Sequence, residues 1–371
     1  MAQQRIPLGR ILGIPVSLDF SWFLIFTLLT WMLAGSYYPS EFPDWPQGRY
    51  WIMGAFTAIA FFASVLLHEL GHSAVALHYK VRVRSITLHI FGGIAEIADE
   101  APSPSAEFLI ALAGPLVSLA LALACHLLQG AAAGFGPLAG LFKYLAYINL
   151  TLALFNLLPG YPLDGGRLFR ALLWAYTGNL RGATRTAATA GRALAFLLIL
   201  VGVWQSLSGN LGGGLWIAFI GWFLDNAAKS QLQEGVFRDL LSQHTVAQIM
   251  NPSCPDVPAD LSLQHLVDDY ILSGPRRCFL VHQNGRPVGL VTPQQIRSTP
   301  RPEWSRKTTG QVMLPLDQAL SIAPGATLWH ALQRMDRDGV NQLPVLHNGQ
   351  VIGMLSREDV ITYLRTLADW G

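Results

Sequence analysis

Charged residues are scarce in this chain of 371 residues, since they make up only 13% of it while 51% is hydrophobic. Ordinary soluble proteins carry about 25% charged residues, so the composition argues against a protein that is soluble throughout. The deficit is also uneven, because charge is nearly absent from 51–79 and from 108–158 and becomes frequent after Lys229. We therefore expect a membrane domain first and a soluble domain second.

Cysteine pairs and basic runs are missing as well. Cys125, Cys254 and Cys278 form no C-x-x-C pair, which argues against a disulfide framework and against a thiolate zinc site. The net charge of +2 comes without a basic run, so we expect no nucleic-acid partner. No clear small-residue cleavage site follows the first apolar run, which favours a retained first span over a removed signal peptide.

Six segments are long and apolar enough to cross a bilayer. They run approximately over residues 14–36, 51–78, 106–128, 138–158, 187–207 and 211–228. Arginine and lysine are concentrated before the first segment, after the second, between the fourth and fifth, and after the sixth. By the positive-inside rule, both termini and the soluble domain then lie in the cytoplasm. The sequence thus predicts a multi-pass protein of the cell membrane, surrounded by the lipid bilayer.

The segment 81–99, between the second and third spans, alternates apolar and polar residues and then turns at Phe91-Gly92-Gly93. This pattern predicts a short β-hairpin at the inner face of the membrane. Non-helical backbone at membrane depth is tolerated only where protein or a water-filled cavity covers it. Two interpretations stay open: a plain connection, or an edge that pairs with an extended segment of a substrate.

Two histidines and a glutamate lie in the second apolar span, where ionisable side chains are costly and indicate function. His68 and His72 are four residues apart, so on a helix both can present nitrogens to one ion. Glu69 follows His68 directly, which completes the H-E-x-x-H pattern of zinc hydrolases. The alternative is a polar cluster that only satisfies itself between helices.

A candidate third ligand lies at the inner end of the fourth span, in the stretch 156–167 with the sequence NLLPGYPLDGGR. Its two prolines end the helix, so we expect Asp164 on an irregular segment at the same depth as His72. A catalytic zinc takes three protein ligands, and Asp164 is the only acidic residue between Glu107 and Asp225. The alternative is a helix-terminal turn residue before Gly-Gly.

Asn156, eight residues before that aspartate, offers a side-chain amide at the end of the fourth span. An amide at this place can donate hydrogen bonds to an oxyanion or hold a substrate backbone. An interhelical hydrogen bond is the other interpretation.

The pairing of HELGH in one span with NLLPGYPLDGGR at the end of a later one resembles the site-2 protease family of intramembrane zinc metalloproteases. The resemblance implies an endopeptidase that cleaves a transmembrane segment of a single-span membrane protein. Such substrates are of the anti-sigma-factor or membrane-tethered transcription-factor type. The roles it implies are one zinc ion bound by His68, His72 and Asp164, a general base in Glu69, and substrate or oxyanion contact from Asn156. A membrane metal-binding or transport protein that cuts nothing is the alternative.

The soluble part contains an internal repeat, because the pattern at 246–250 recurs at 309–313 and the Asn-Gly pair at 284–285 recurs at 348–349. Each copy predicts a strand, a helix, a strand, an Asn-Gly hairpin, a strand and a helix. Two copies of such a unit resemble a tandem CBS pair. The predicted division is 1–230 for the membrane protease domain, 231–243 for a linker, and 244–300 and 307–371 for the two CBS repeats.

The CBS resemblance implies that ATP or another adenine nucleotide binds between the repeats and regulates the protease. Ser356 and Asp359, in the sequence SRED, match the ribose-contacting positions of that family. The first copy has Gln295 where the acid would stand, which leaves one of the two nucleotide sites open. The alternative is a structural module without ligand that forms a homodimer, in which Asp359 is an ordinary acid at a helix N-terminus.

The predicted fold is therefore an α-helical polytopic membrane domain followed by a soluble α/β tandem CBS module. The membrane domain is expected to have about six transmembrane helices and a short membrane-associated β-hairpin.

Overall fold

The computed structural model describes residues 5–90, 92–97, 100–132, 134–252, 255–272 and 279–370. The chain divides into two compact units, Met1–Glu234 and Gly235–Gly371.

The first unit contains a four-stranded sheet and a set of long helices. Its strands are β1 (Arg5–Ile11), β2 (Ile14–Asp19), β3 (Val83–His89) and β4 (Gly92–Ile97). Its helices are α1 (Ser21–Met32), α2 (Tyr38–Glu41), α3 (Gln47–His78), α4 (Pro104–Ala131), α5 (Gly136–Asn156), α6 (Asp164–Thr177), α7 (Leu180–Leu207) and α8 (Leu211–Gln243), which continues into the second unit. A π-helical turn (Leu33–Tyr37) joins α1 to α2.

Within the described residues, α3, α4, α5 and α7 are long and apolar enough to cross a membrane, with mean hydropathy from 1.5 to 2.4. They confirm four of the six predicted spans. The predicted span at 211–228 does begin a helix, α8, but α8 is not among these four, and Asp225 and Asn226 lie within the predicted span. At the predicted span 14–36, residues 14–19 form strand β2 instead of helix, so the start of the prediction was wrong. The rest is helical without a break from Ser21 through a π-helical turn to Glu41, but this helix is likewise not among the four.

The sheet has the order β1-β2-β3-β4. Strands β3 and β4 pair antiparallel, which confirms the predicted hairpin, although Phe91 of its predicted turn lies outside the described residues. The β1–β2 hairpin was not predicted. It is possible because Leu12 and Gly13 turn the chain at φ 54° and 79°, and β2 then pairs in parallel with β3.

Strand β2 ends where α1 begins, and Asp19 links the two elements. Its carboxylate accepts hydrogen bonds from the Ser21 hydroxyl, at 2.6 Å, and from the Ser21 backbone N–H, at 2.9 Å. These bonds stabilise the charged form and lower the pKa of Asp19. On the inner face of the sheet, Ile14, Val16 and Ile86 are buried against α3, so the sheet is packed beside the HELGH helix.

The second unit has two small sheets with short helices around them. Its strands are β5 (Asp256–Pro258), β6 (Phe279–Gln283), β7 (Arg286–Val291), β8 (Leu314–Pro315), β9 (Gln342–His347) and β10 (Gln350–Ser356). Its helices are α9 (Val246–Ile249), α10 (Leu263–His265), α11 (Pro293–Ser298), α12 (Thr309–Val312), α13 (Leu328–Asp338) and α14 (Arg357–Trp370). One sheet has the order β5-β6-β7-β8, and the other pairs β9 with β10.

The two Asn-Gly hairpins of the internal repeat are confirmed. Asn284 and Gly285 join β6 to β7 at φ 54° and 73°, and Asn348 and Gly349 join β9 to β10 at φ 51° and 79°. Two consecutive residues of positive φ form the type I′ turn that Asn-Gly favours. The unit has two apolar cores, and each combines residues of both predicted repeats. The core around Phe279 includes Met313, and the core that includes Leu241, near the end of α8, also contains Val246.

Candidate active site

Three side chains from two helices converge at the centre of the first unit. His68 and His72 lie on α3 and are buried, and Asp164 begins α6. The two Nε2 atoms are 3.2 Å apart, and Asp164 Oδ2 lies 3.1 Å from that of His68 and 3.2 Å from that of His72. The three candidate ligand atoms could therefore hold one metal ion. The structure thus brings together the three residues that the sequence marked as ligands.

The outer nitrogens of both imidazoles contact helix α4. His72 Nδ1 donates to the Ile110 carbonyl at 2.7 Å, and His68 Nδ1 lies 2.9 Å from Ser118 Oγ. Because a carbonyl can only accept, the N–H of His72 is on Nδ1 and its Nε2 presents a lone pair to the site. Metal-binding histidines almost always donate their other N–H in this way, so the donor set fits zinc.

Gly114 lets α4 approach the two rings. A Cβ at this position would lie 2.1 Å from His72 Nε2 and 2.7 Å from His68 Nε2. Since real Cβ atoms essentially never come closer than 3.0 Å to such atoms, only glycine fits while the rings keep their places. Sequence reasoning missed this role and that of Ser118, although the two lie one helical turn apart on α4.

The sequence predicted that Asp164 lies on an irregular segment, and this prediction was wrong. It is the first residue of α6, after Leu163 in extended conformation. A carboxylate is favourable at this place because the N-terminus of a helix carries partial positive charge. The irregular segment lies just before it, at residues 157–163. This segment packs so closely on α6 that a Cβ at Gly166 would lie 2.3 Å from the Gly160 carbonyl carbon.

Glu69 is beside the three candidate ligands but contacts a different element, strand β4. A Cβ at Gly93 would lie 2.4 Å from Glu69 Cγ and 3.1 Å from Glu69 Oε1, so β4 packs directly against this side chain. Strand β4 therefore holds this carboxylate in place next to His68.

Asn156 is the last residue of α5 and reaches the same site. Its Nδ2 lies 3.4 Å from His68 Nε2, so the amide is next to a candidate ligand atom. The contact is also an interhelical one, between α5 and α3, so both interpretations of Asn156 are compatible with its position.

Ser356 and Asp359 contact each other in the second unit. The Asp359 carboxylate accepts from the Ser356 backbone N–H at 2.8 Å and lies 2.6 Å from its hydroxyl. In the first copy, the Thr292 backbone N–H donates to Gln295 Oε1 at 3.1 Å. In both copies, the side chain at 295 or 359 thus caps the helix that follows the hairpin. This agrees with the alternative in which Asp359 is an ordinary acid at a helix N-terminus.

Comparison with known proteins gives two family matches. Peptidase family M50 matches residues 56–136 and 126–200, and the CBS domain matches residues 310–366.

Among curated proteins, "Putative zinc metalloprotease Rip3" of Mycobacterium tuberculosis is 37% identical over 96% of this chain and 92% of its own length. "Putative zinc metalloprotease sll0528" of Synechocystis is 33% identical over 98% of this chain and 96% of its own length. Among solved structures, a site-2 protease from Methanocaldococcus jannaschii matches at 30% identity with a TM-score of 0.45. It covers 62% of this chain and 95% of the solved one.

Proposed function

Because the chain belongs to peptidase family M50, the site-2 proteases, and is a zinc metalloprotease, we propose that it cleaves a transmembrane segment of a single-span membrane protein. The observation that carries the proposal is the convergence of His68, His72 and Asp164 beside Glu69 on a membrane-length helix. A substrate of the anti-sigma-factor or membrane-tethered transcription-factor type fits a protease whose site is buried among such helices.

His68, His72 and Asp164 would hold one zinc ion per chain, with both imidazoles oriented from α4. Three protein ligands leave a fourth position free for water or substrate, as in catalytic zinc sites. When bound, zinc supplies Lewis acidity and lowers the pKa of water at the site to about 7.

Glu69 is the proposed general base. Its carboxylate takes a proton from the attacking water and delivers it to the leaving amine, so that one group serves both steps. The close contact at Gly93 restricts this carboxylate to the side of the site next to β4. Asn156 Nδ2 would donate to the substrate carbonyl oxygen as negative charge develops on it.

Strand β4 is proposed to align the substrate. A helical substrate hides its carbonyls in hydrogen bonds and must unwind before attack. Strand β4 is at one end of the sheet order, and an extended segment can pair with such an edge. Pairing there would place the substrate backbone beside Glu69, which contacts β4 at Gly93.

The soluble unit is proposed to be cytoplasmic and regulatory. The distribution of arginine and lysine supports cytoplasmic termini. ATP or another adenine nucleotide would bind the CBS pair with Ser356 and Asp359 near the ribose, and a homodimer would form through the same unit. Regulation requires that the nucleotide bind two states of the protein unequally. Titration of ATP against the cleavage rate tests this, and an unchanged rate despite measured binding would refute it.

The main test compares wild type with Glu69→Gln in vesicles that contain a single-span substrate. The variant should bind one zinc per chain and lose cleavage by at least about 100-fold, because only the proton acceptor is removed. Glu41→Gln is the matched control, since Glu41 is on α2, away from the site, and its carboxylate pairs with Lys143. Cleavage by Glu69→Gln at the wild-type rate would exclude Glu69 as the base. Zinc transport without cleavage by the wild type would favour the transporter alternative.

A further inference from the structure

A buried carboxylate lies outside the proposed zinc site and has no role in the mechanism above. Glu107, in the first turn of α4, is only 1% exposed. Its Oε1 accepts from Arg167 Nε at 3.3 Å and from an Arg170 guanidinium nitrogen, and both arginines lie on α6. Arg170 also lies over the ring of Tyr161, in the segment that leads into α6.

Each helix of this ion cluster also contributes to the zinc site. On α4, Glu107 is followed at helical spacing by Ile110, Gly114 and Ser118, which contact the two histidines. On α6, Asp164 precedes Arg167 by three residues and Arg170 by six. The cluster therefore joins the helix that orients two candidate ligands to the helix that carries the third.

Buried ions are an expensive way to hold two helices together. Their desolvation often cancels the attraction, and apolar residues of similar volume can stabilise a fold equally well. What the hydrogen-bonded arrangement adds is a fixed geometry, because Arg167 and Arg170 meet one carboxylate oxygen from one side. Zinc needs this precision, since its ligand distances tolerate deviations of only about 0.2 Å.

We propose that Glu107 is a positioning residue for the zinc site. Through Arg167 and Arg170 it fixes the first turn of α6 against α4, and thereby the distance from Asp164 to His68 and His72. The inference rests on the proposed zinc ligands. It assigns Glu107 an effect on metal affinity, which is separate from any effect on overall stability.

The test measures zinc affinity by competition with a chelator in the purified full-length protein. It also records the visible spectrum of the Co²⁺-loaded protein, because zinc itself is spectroscopically silent. Because Glu107 acts through the arginines of α6 and not on a ligand directly, Glu107→Gln should lower zinc affinity about 10-fold, the lower end of the loss that follows removal of a ligand's outer partner, and should change the Co²⁺ bands. Asp225→Asn is the matched control, because it breaks the ion pairs of Asp225 with Arg192 and Lys229 without touching the site.

A double variant separates positioning from stability. Glu107→Gln alone leaves buried guanidinium charge without its carboxylate, whereas Glu107→Gln with Arg170→Gln removes much of that penalty. The double variant should fold at least as well as the single one and still bind zinc about 10-fold more weakly than wild type. Wild-type affinity and Co²⁺ bands in the double variant would overturn the proposal. A wrong assignment of the zinc ligands would give a different result, because His68→Ala would then leave the zinc affinity of the protein unchanged.

Discussion

Replacement of Gly114 by alanine should abolish tight zinc binding, although it adds only one methyl group. That methyl carbon would lie 2.1 Å from His72 Nε2, 2.5 Å from His72 Cε1 and 2.7 Å from His68 Nε2. Because ordinary contacts begin near 3.4 Å, the His72 ring would have to retreat by roughly 1 Å. This displacement is several times the deviation of about 0.2 Å that zinc–ligand distances tolerate.

The rings cannot retreat freely, because α4 also holds their other sides. The Ile110 carbonyl binds His72 Nδ1 and Ser118 Oγ lies against His68 Nδ1, so any movement away from residue 114 strains these bonds. Replacement of a glycine by alanine inside a helix would by itself stabilise the folded state by about 1 kcal/mol. We therefore expect the Gly114→Ala protein to fold while its zinc affinity falls by at least about 100-fold.

Chelator competition on purified protein measures this affinity, with the far-ultraviolet circular dichroism spectrum as the check on folding. Gly130→Ala is the matched control, because Gly130 is also on α4 and a Cβ there would meet no atom within 4 Å. Wild-type zinc affinity in Gly114→Ala would refute the placement of the two imidazoles against α4.

Two further predictions concern the other supports of the site and the CBS unit. Gly93→Ala should keep zinc and lose cleavage at least about 10-fold, because its Cβ would lie 2.4 Å from Glu69 Cγ and displace the base; unchanged cleavage in the vesicle assay would contradict this. Asp359→Ala should weaken the start of α14 by about 1 kcal/mol, because the Ser356 N–H loses its acceptor. Hydrogen exchange in the full-length protein measures this loss, and unchanged protection there would refute the capping role.

The polar residues of the site could be predicted because their surroundings are apolar. His68 and His72 stand out in a membrane-length segment where charge is otherwise nearly absent, and Asp164 is the only acidic residue between Glu107 and Asp225. Alternation likewise predicted the β3–β4 hairpin. The β1–β2 hairpin carries the same period-two signal, with Ile14, Val16 and Leu18 buried, but the apolar run that follows suggested one continuous span.

The helical position of Asp164 could not be predicted, because the residues around it indicate irregular chain while tertiary packing makes them helical. Two prolines before it and two glycines after it indicate irregular chain, because glycine costs a helix about 1 kcal/mol at each position. Yet α6 starts at Asp164. Glycine is required at position 165 because the Cβ of any other residue would lie only 2.3 Å from the Leu157 carbonyl oxygen. The glycines thus reflect a close approach between two segments, which is known only once both are placed.

The supports of the site divide into two groups, and each should affect a different step. Helix α4 contributes no proposed ligand, yet Ile110, Gly114 and Ser118 contact both histidines, while Glu107 binds the arginines of α6. Changes along this face should therefore alter metal affinity. Strand β4 contacts Glu69 instead, so changes there should alter proton transfer with zinc retained. A variant of α4 that keeps zinc but loses cleavage, or one of β4 that loses zinc, would show that the two supports are not independent.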